Sequence, residues 1–232
     1  MSRTASIALL LALAASPAVA QTALRIGATG EAPAAPDEAV AALTAQATGP
    51  DAASVQAKVN AMMAKALAAS RVVPGVVATT GSYDAEPQTL DTQPPKTVYQ
   101  ASQPLNLVLP AKDGLPPAAF TDLLGRLQQQ GLLLNDLGGD LSPQARQAAQ
   151  QQAVLAALAQ IQAQAAAVAA QLHERMGDVK TLNVNAAPAP GPQPLMAMRA
   201  MAAAPAPVAA PGNITVTADV SAEVELTPLP GP

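Results

Sequence analysis

The sequence has no cysteine and no tryptophan, one phenylalanine (Phe120), two tyrosines (Tyr83 and Tyr99) and one histidine (His173). Without cysteine there are no disulfides and no thiolate chemistry, so stability has to come from burial alone. One histidine and no cysteine exclude a His/Cys metal cluster. A hydrolase would have His173 as its only imidazole base. There is no Gly-x-Ser-x-Gly elbow, P-loop or dinucleotide fingerprint. Charge is also scarce: twelve Lys and Arg face sixteen Asp and Glu, a formal −4. No basic patch exists to hold a phosphate backbone, so nucleic acid is not an expected partner. The lack of aromatics bounds the core as well. Half the residues are hydrophobic, but alanine dominates them, so a core of Ala, Val and Leu must be thin and extended.

What is present in abundance is helix-forming sequence without charge. From Ser142 to Gly177 no glycine interrupts, and the only proline is Pro143, at the first helical position behind the capping hydroxyl of Ser142. Val154, Leu158, Ile161, Ala165, Val168 and Leu172 recur at alternating gaps of four and three, a narrow stripe on one helix face. Ala and Gln fill most of the rest. Such a helix is roughly 50 Å long at 1.5 Å per residue, longer than a small domain is wide. It must lie along a broad sheet, project from it, or meet a partner.

Residues 1–20 have the three parts of a signal peptide: Arg3, the apolar run Ile7 to Ala15, and the small-x-small site Ala18-Val19-Ala20 before Gln21. Cleavage there removes one of the twelve basic residues, so eleven against sixteen leaves −5. Residue 21 is not cysteine, so no lipid anchor is expected. No later stretch is expected to be both long and apolar enough to cross a membrane.

Thr22 to Thr29 alternates Leu24, Ile26 and Ala28, a half-buried strand, broken by Gly30-Glu31 and Pro33 to Pro36. Asp37 to Thr48 is open between helix and strand. A helix runs from Asp51 with Val55, Val59, Met62, Met63, Ala66 and Leu67 on one face. Val72 to Thr80 is β-rich, and Asp84 to Pro95 is rich in turn residues. Lys96 to Leu109 is a strand carrying an edge-type Pro104. Pro116-Pro117 starts a short helix with Phe120, Leu123, Leu124 and Leu127 on one side, ending at Gly131. Gly138-Gly139 turns into the long helix, and Val179 to Val184 is a strand. Ala186 to Pro211 is a low-complexity loop of Ala, Pro and Met. Asn213 to Leu226 is the clearest strand, with Ile214, Val216, Ala218, Val220, Ala222, Val224 and Leu226 on one face. A Pro-rich tail closes the chain, residues 228–232.

Three segments together resemble the SIMPL-domain family, the periplasmic immunogenic proteins of Gram-negative bacteria: IGATGEAPAAPDEA (Ile26 to Ala39), VYQASQPLNLVL (Val98 to Leu109) and PGNITVTADVSAEVEL (Pro211 to Leu226). The resemblance covers essentially all of residues 21–227. It favours strand for Asp37 to Thr48, as a hairpin partner of the first strand. Two departures stand out: Gly131-Leu132-Leu133-Leu134-Asn135 replaces a Gly-Ala-Asn-like turn, and the long helix is unusually rich in Gln. The resemblance implies no agreed enzymatic activity, a link to envelope and oxidative stress tolerance, and, as in some members that are surface antigens, assembly into large rings.

The candidate chemistry is sparse. Asp37/Glu38 and Glu223/Glu225 are carboxylate pairs, the first at a turn and the second on the solvent side of the last strand. His173 follows the last stripe residue and suits the helix C-terminal dipole. Met196, Met198 and Met201 form the one chemical oddity, soft thioethers able to hold Cu(I) or to act as oxidisable bait. The expectation is therefore an α+β protein, antiparallel sheet strands flanked by three helices, one very long, with the Pro/Ala/Met-rich loop before the last strand. It is expected to be periplasmic, non-catalytic, without cofactors, and a homo-oligomeric scaffold in stress tolerance. The alternative is a ligand or Cu(I) binder using the Met-rich loop. Association with the outer membrane is left open.

Overall fold

The computed structural model describes residues 22–185 and 212–229. In chain order the elements are β1 (Thr22–Ala34), β2 (Glu38–Gly49), α1 (Ala52–Ser70), β3 (Val77–Thr80), β4 (Asp84–Leu90), β5 (Lys96–Pro110), α2 (Ala118–Gln129), β6 (Leu133–Asp140), α3 (Pro143–Gln171), β7 (Glu174–Asn185) and β8 (Ile214–Pro228). They form two antiparallel sheets. The smaller has the order β1-β8-β7 and carries α3. The larger has β5 and β2 at its centre, with β6 beside β2, and with β3 and β4 end to end along β5. Helices α1 and α2 pack on it. The architecture is α+β, as expected.

Local chemistry explains the elements that the sequence announces. Asp51 caps α1, accepting from the Ser54 amide at 2.8 Å, and Val55, Val59, Met63 and Ala66 turn inward at helical spacing. Phe120, Leu123, Leu124 and Leu127 of α2 are all fully buried in the same cluster. Gly131, at φ +95°, supplies the left-handed residue that stops α2. In β8 every second residue from Val216 to Leu226 is buried against α3.

Several expectations are corrected by pairing that sequence does not display. β1 and β2 are not a hairpin: among the described residues β1 pairs only with β8, and β2 lies between β5 and β6 in the other sheet. β1 does not break at Gly30 or Pro33. It continues to Ala34, and Pro33 is tolerated because β1 is an edge strand among the described residues. The turn-rich segment from Asp84 is mostly a strand, β4, held by β5 and tolerating Pro87 at the sheet edge. Only Val77–Thr80 of the β-rich 72–80 segment pairs. Pro104 is not on an edge strand, since β5 has neighbours on both sides. Its carbonyl accepts from Gly81 at the gap between β3 and β4, so its missing N–H faces that gap. Gly138 and Gly139 do not form a turn but sit within β6.

The long helix is the largest correction. It ends at Gln171, not Gly177, because His173 takes the left-handed conformation at φ +58° and the chain enters β7 at Glu174. His is among the non-glycine residues more often found there. The buried stripe is Ala149, Ala153, Ala157, Ile161, Ala165 and Ala169. Val154, Leu158 and Val168 flank it half-buried, and Leu172 is exposed. Alanine on the inner face lets α3 press close to the sheet. By length and mean hydropathy α3 is also apolar enough to cross a membrane, contrary to expectation; its many alanines make it so, and its inner face is buried on the sheet.

Candidate functional site

Asp37 stands where the two sheets meet. Its amide donates to the Asp140 carbonyl and its carbonyl accepts from Ala111, tying together the ends of β6 and β5. Its carboxylate accepts from the Ser142 amide and hydroxyl, both at 2.6 Å, while Ser142 Oγ caps Ala145. Arg146 pairs with Asp140 one turn into α3. Burial opposes the Asp37 charge, but the two hydrogen bonds from Ser142 outweigh it and hold its carboxyl below the usual aspartate value. Glu38 goes the other way: burial, then the carboxylates of Asp37 and Asp140, push it up against partial relief from Arg146. Asp37 is thus a helix-start clasp joining α3 to the larger sheet, and Glu38 beside it makes no such bond among the described residues.

Opposite signs of pH dependence follow. The Asp37 contribution is complete above the ordinary aspartate value and is lost as pH falls through its lowered value, from about pH 4 downward. Glu38 contributes fully below the ordinary glutamate value and loses that contribution as pH rises through its raised value. Asp37→Ala is expected to cost about 1 kcal/mol at pH 7, small because solvent screens the pair. Glu38→Gln is expected to raise stability at pH 7, with the gain vanishing below about pH 4. Urea unfolding at pH 7 and pH 3.5 checks both; a Glu38→Gln gain that persists at the lower pH contradicts the burial argument.

The other candidates lie apart. Glu223 pairs with Arg25 at 3.1 Å and Glu225 with Lys180 at 3.0 Å, both cross-strand pairs on the face of the smaller sheet away from α3. His173 is exposed at the end of α3. Met196, Met198 and Met201, and the signal peptide, lie outside the described residues. Among the described residues no three His, Asp or Glu side chains converge as metal ligands.

What the structure assembles instead is surface. The open face of the smaller sheet carries a shallow groove of about 440 Å³ over Gly27 and Ser221, edged by Arg25, Glu223, Thr181 and Asn183. The other feature lies on the α3 side. From Gln147 to Leu172 α3 has no charged residue, and Leu155 is 66% exposed on its outer side. A hollow of about 530 Å³ runs beside Leu155, between Gln147, Gln151 and Val154. Next to the helix, β7 turns Met176, Val179, Leu182 and Val184 to the same side as the buried Leu226, Val224, Ala222 and Val220 of β8. Those four β7 side chains nevertheless stay 39–50% exposed. Sequence reading missed this strip because register shifts at Met176/Val179 and Val179/Thr181 interrupt its alternation.

The family model SIMPL, described as "Protein of unknown function (DUF541)", matches residues 24–224. No curated protein matches the chain.

Proposed function

The chain belongs to the SIMPL family, and from that premise we propose that it is an exported, non-catalytic periplasmic protein, an oligomeric scaffold in tolerance of envelope or oxidative stress. The observation that carries the scaffold reading is the uncharged outer side of α3 beside the half-exposed apolar strip of β7. A surface with no charge over more than six helical turns is unusual for a protein in water, where mixed charge keeps chains apart. The stress role and the periplasmic address rest on the family resemblance, and export also rests on the Arg3 to Ala20 pattern.

Light scattering coupled to gel filtration tests the scaffold reading. Protein recovered from a periplasmic extract is expected to begin at Gln21 by intact mass and to elute as a multiple of the monomer. A single species of monomer mass over a wide dilution series refutes assembly. A strain lacking the protein is expected to lose survival under peroxide and to regain it with the full chain; equal survival of both strains refutes the stress role.

A further inference from the structure

We propose that Glu174 holds the α-ammonium group created at Gln21 when the signal peptide is removed, so that processing supplies a cation which the end of the smaller sheet lacks and protects Gln21 from cyclisation. The inference rests on the export reading, with cleavage after Ala20.

One carboxylate oxygen is left without a donor. Glu174 Oε2 is buried and has no hydrogen-bond partner among the described residues. The other oxygen, Oε1, accepts from the Thr22 hydroxyl at 3.0 Å. A buried carboxylate oxygen is costly unless it is paired. Glu174 also lies just past the C-terminal end of α3, where the helix carbonyls disfavour negative charge. Among the described residues no cation is free to meet it. α3 carries no charge after Arg146, at its far end. Arg25 pairs with Glu223, Lys180 pairs with Glu225, and Arg175 donates to Thr227 Oγ1 at 3.0 Å, all three on the sheet face away from α3. His173 is exposed and makes no ion pair with Glu174.

Strand register points to the α-amino group of the processed chain. β8 lies between β1 and β7. Thr22 stands opposite Leu226 and Glu174 opposite Pro228, so both side chains lie on the α3 side and meet across β8. Leu24, Ala23 and Thr22 stand opposite Val224, Glu225 and Leu226, so each step back along β1 comes one residue nearer the level of Glu174. Gln21, the residue before the first described one, is one step further, at most about 3.6 Å of chain from Thr22. In the precursor its nitrogen is a neutral amide joined to Ala20. Hydrolysis of that bond by a signal peptidase consumes one water and leaves a carboxylate on Ala20 and an ammonium on Gln21. An ammonium has three N–H donors and a full positive charge, the complement of a carboxylate oxygen without a donor. The pairing has a chemical consequence. An N-terminal glutamine cyclises when its uncharged amine attacks its own side-chain carboxamide carbon, closing a lactam and releasing ammonia. Glu174 keeps that amine protonated, so the lactam forms slowly.

The test uses mature protein from a periplasmic extract of cells expressing the full chain, as parent and as Glu174→Gln, which keeps the side-chain shape and an acceptor for Thr22. Intact mass comes first. A chain that does not begin at residue 21 overturns the export reading and this inference together. A parent chain that begins there but is already fully cyclised overturns the inference alone. Ammonia loss at Gln21 is then followed by peptide mass near neutral pH. It is expected to be at least fivefold faster in Glu174→Gln; equal rates overturn the inference and leave the export reading standing. The cyclised parent, whose N-terminus carries no charge, is expected to unfold about 2–4 °C below the uncyclised parent. Glu174→Gln is expected to show no such difference, because the carboxylate is already gone. An equal fall in both, or no fall in the parent, overturns the inference, and the parent comparison decides even where Glu174→Gln does not fold.

Discussion

Gly30→Ala is expected to destabilise the protein by about 3 kcal/mol or more, far beyond an ordinary glycine replacement in a strand. A methyl group built on Gly30 overlaps the carbonyl oxygen of Ala153 and the amide of Ala157, and lies 3.0 Å from the Ala153 carbonyl carbon. Those atoms are helix backbone, which cannot rotate aside as a side chain would. Either α3 lifts from β1 along its middle, opening gaps beside Val216 and Val220, or the strand bends away. Both lose close packing that the interior cannot recover by rearranging neighbours. Gly27→Ala is the matched control. Its methyl group points to the open sheet face, 3.5 Å from the Val220 carbonyl oxygen, an ordinary contact. It is expected to stay within about 0.5 kcal/mol of the parent. Urea unfolding of the two variants decides: equal stabilities mean that α3 is not seated against β1 at Gly30.

Phe120→Ala is expected to cost about 3–5 kcal/mol, the range for truncating a fully buried aromatic ring. Phe120 has no exposed surface and is the only phenylalanine in the chain. It packs with Leu123, Leu124 and Leu127 of α2, in the cluster that also holds Val55 and Val59 of α1 and Leu43, Leu105 and Leu107 of the larger sheet. The leucines and alanines around it are short, so none reaches across the space the ring leaves. For a chain of this size the loss corresponds to a fall of about 10 °C in Tm. Phe120→Leu keeps much of the volume and is expected to cost less than half as much. Thermal unfolding checks the order. A Phe120→Ala loss under 1 kcal/mol shows that the site collapses, and that the cluster is looser than its burial implies.

These two residues also mark how legible the chain was. Phe120 was legible. Its spacing with Leu123, Leu124 and Leu127 describes a helix face, and a proline pair and a glycine bracket it. α1, α2, β5 and β8 were legible for the same reason, since period and caps are local properties. Gly30 was misread as a strand break. In a sequence, a glycine that permits close approach looks the same as one that permits a turn. The same ambiguity hid Gly138 and Gly139 inside β6, and proline and polar residues hid β4. In α3 the expected stripe shares Ile161 and Ala165 with the buried one, but the large side chains pulled the rest of it to one side, because alanine is a weak hydrophobic signal and yet fits best beneath a helix pressed onto a sheet. The clasp at Asp37 was visible as a carboxylate at a turn, but its partner Ser142 is 105 residues away.

By itself the sequence determined the class of the protein: a thin, alanine-rich α+β chain without disulfides, with one very long uncharged helix and an alternating last strand. It also carried the family, through motifs at both ends that keep their order. Tertiary structure alone decided which strands are neighbours, sending β1 to β8 and β2 to the other sheet. It also decided that one helix would cover only part of a three-stranded sheet. The physical reason is that period and capping depend on residues a few positions apart, whereas strand pairing and helix seating depend on free-energy differences among distant segments. The half-exposed strip on β7 is a product of that second kind of choice: its residues are ordinary strand residues, and the placement of α3 leaves them in water.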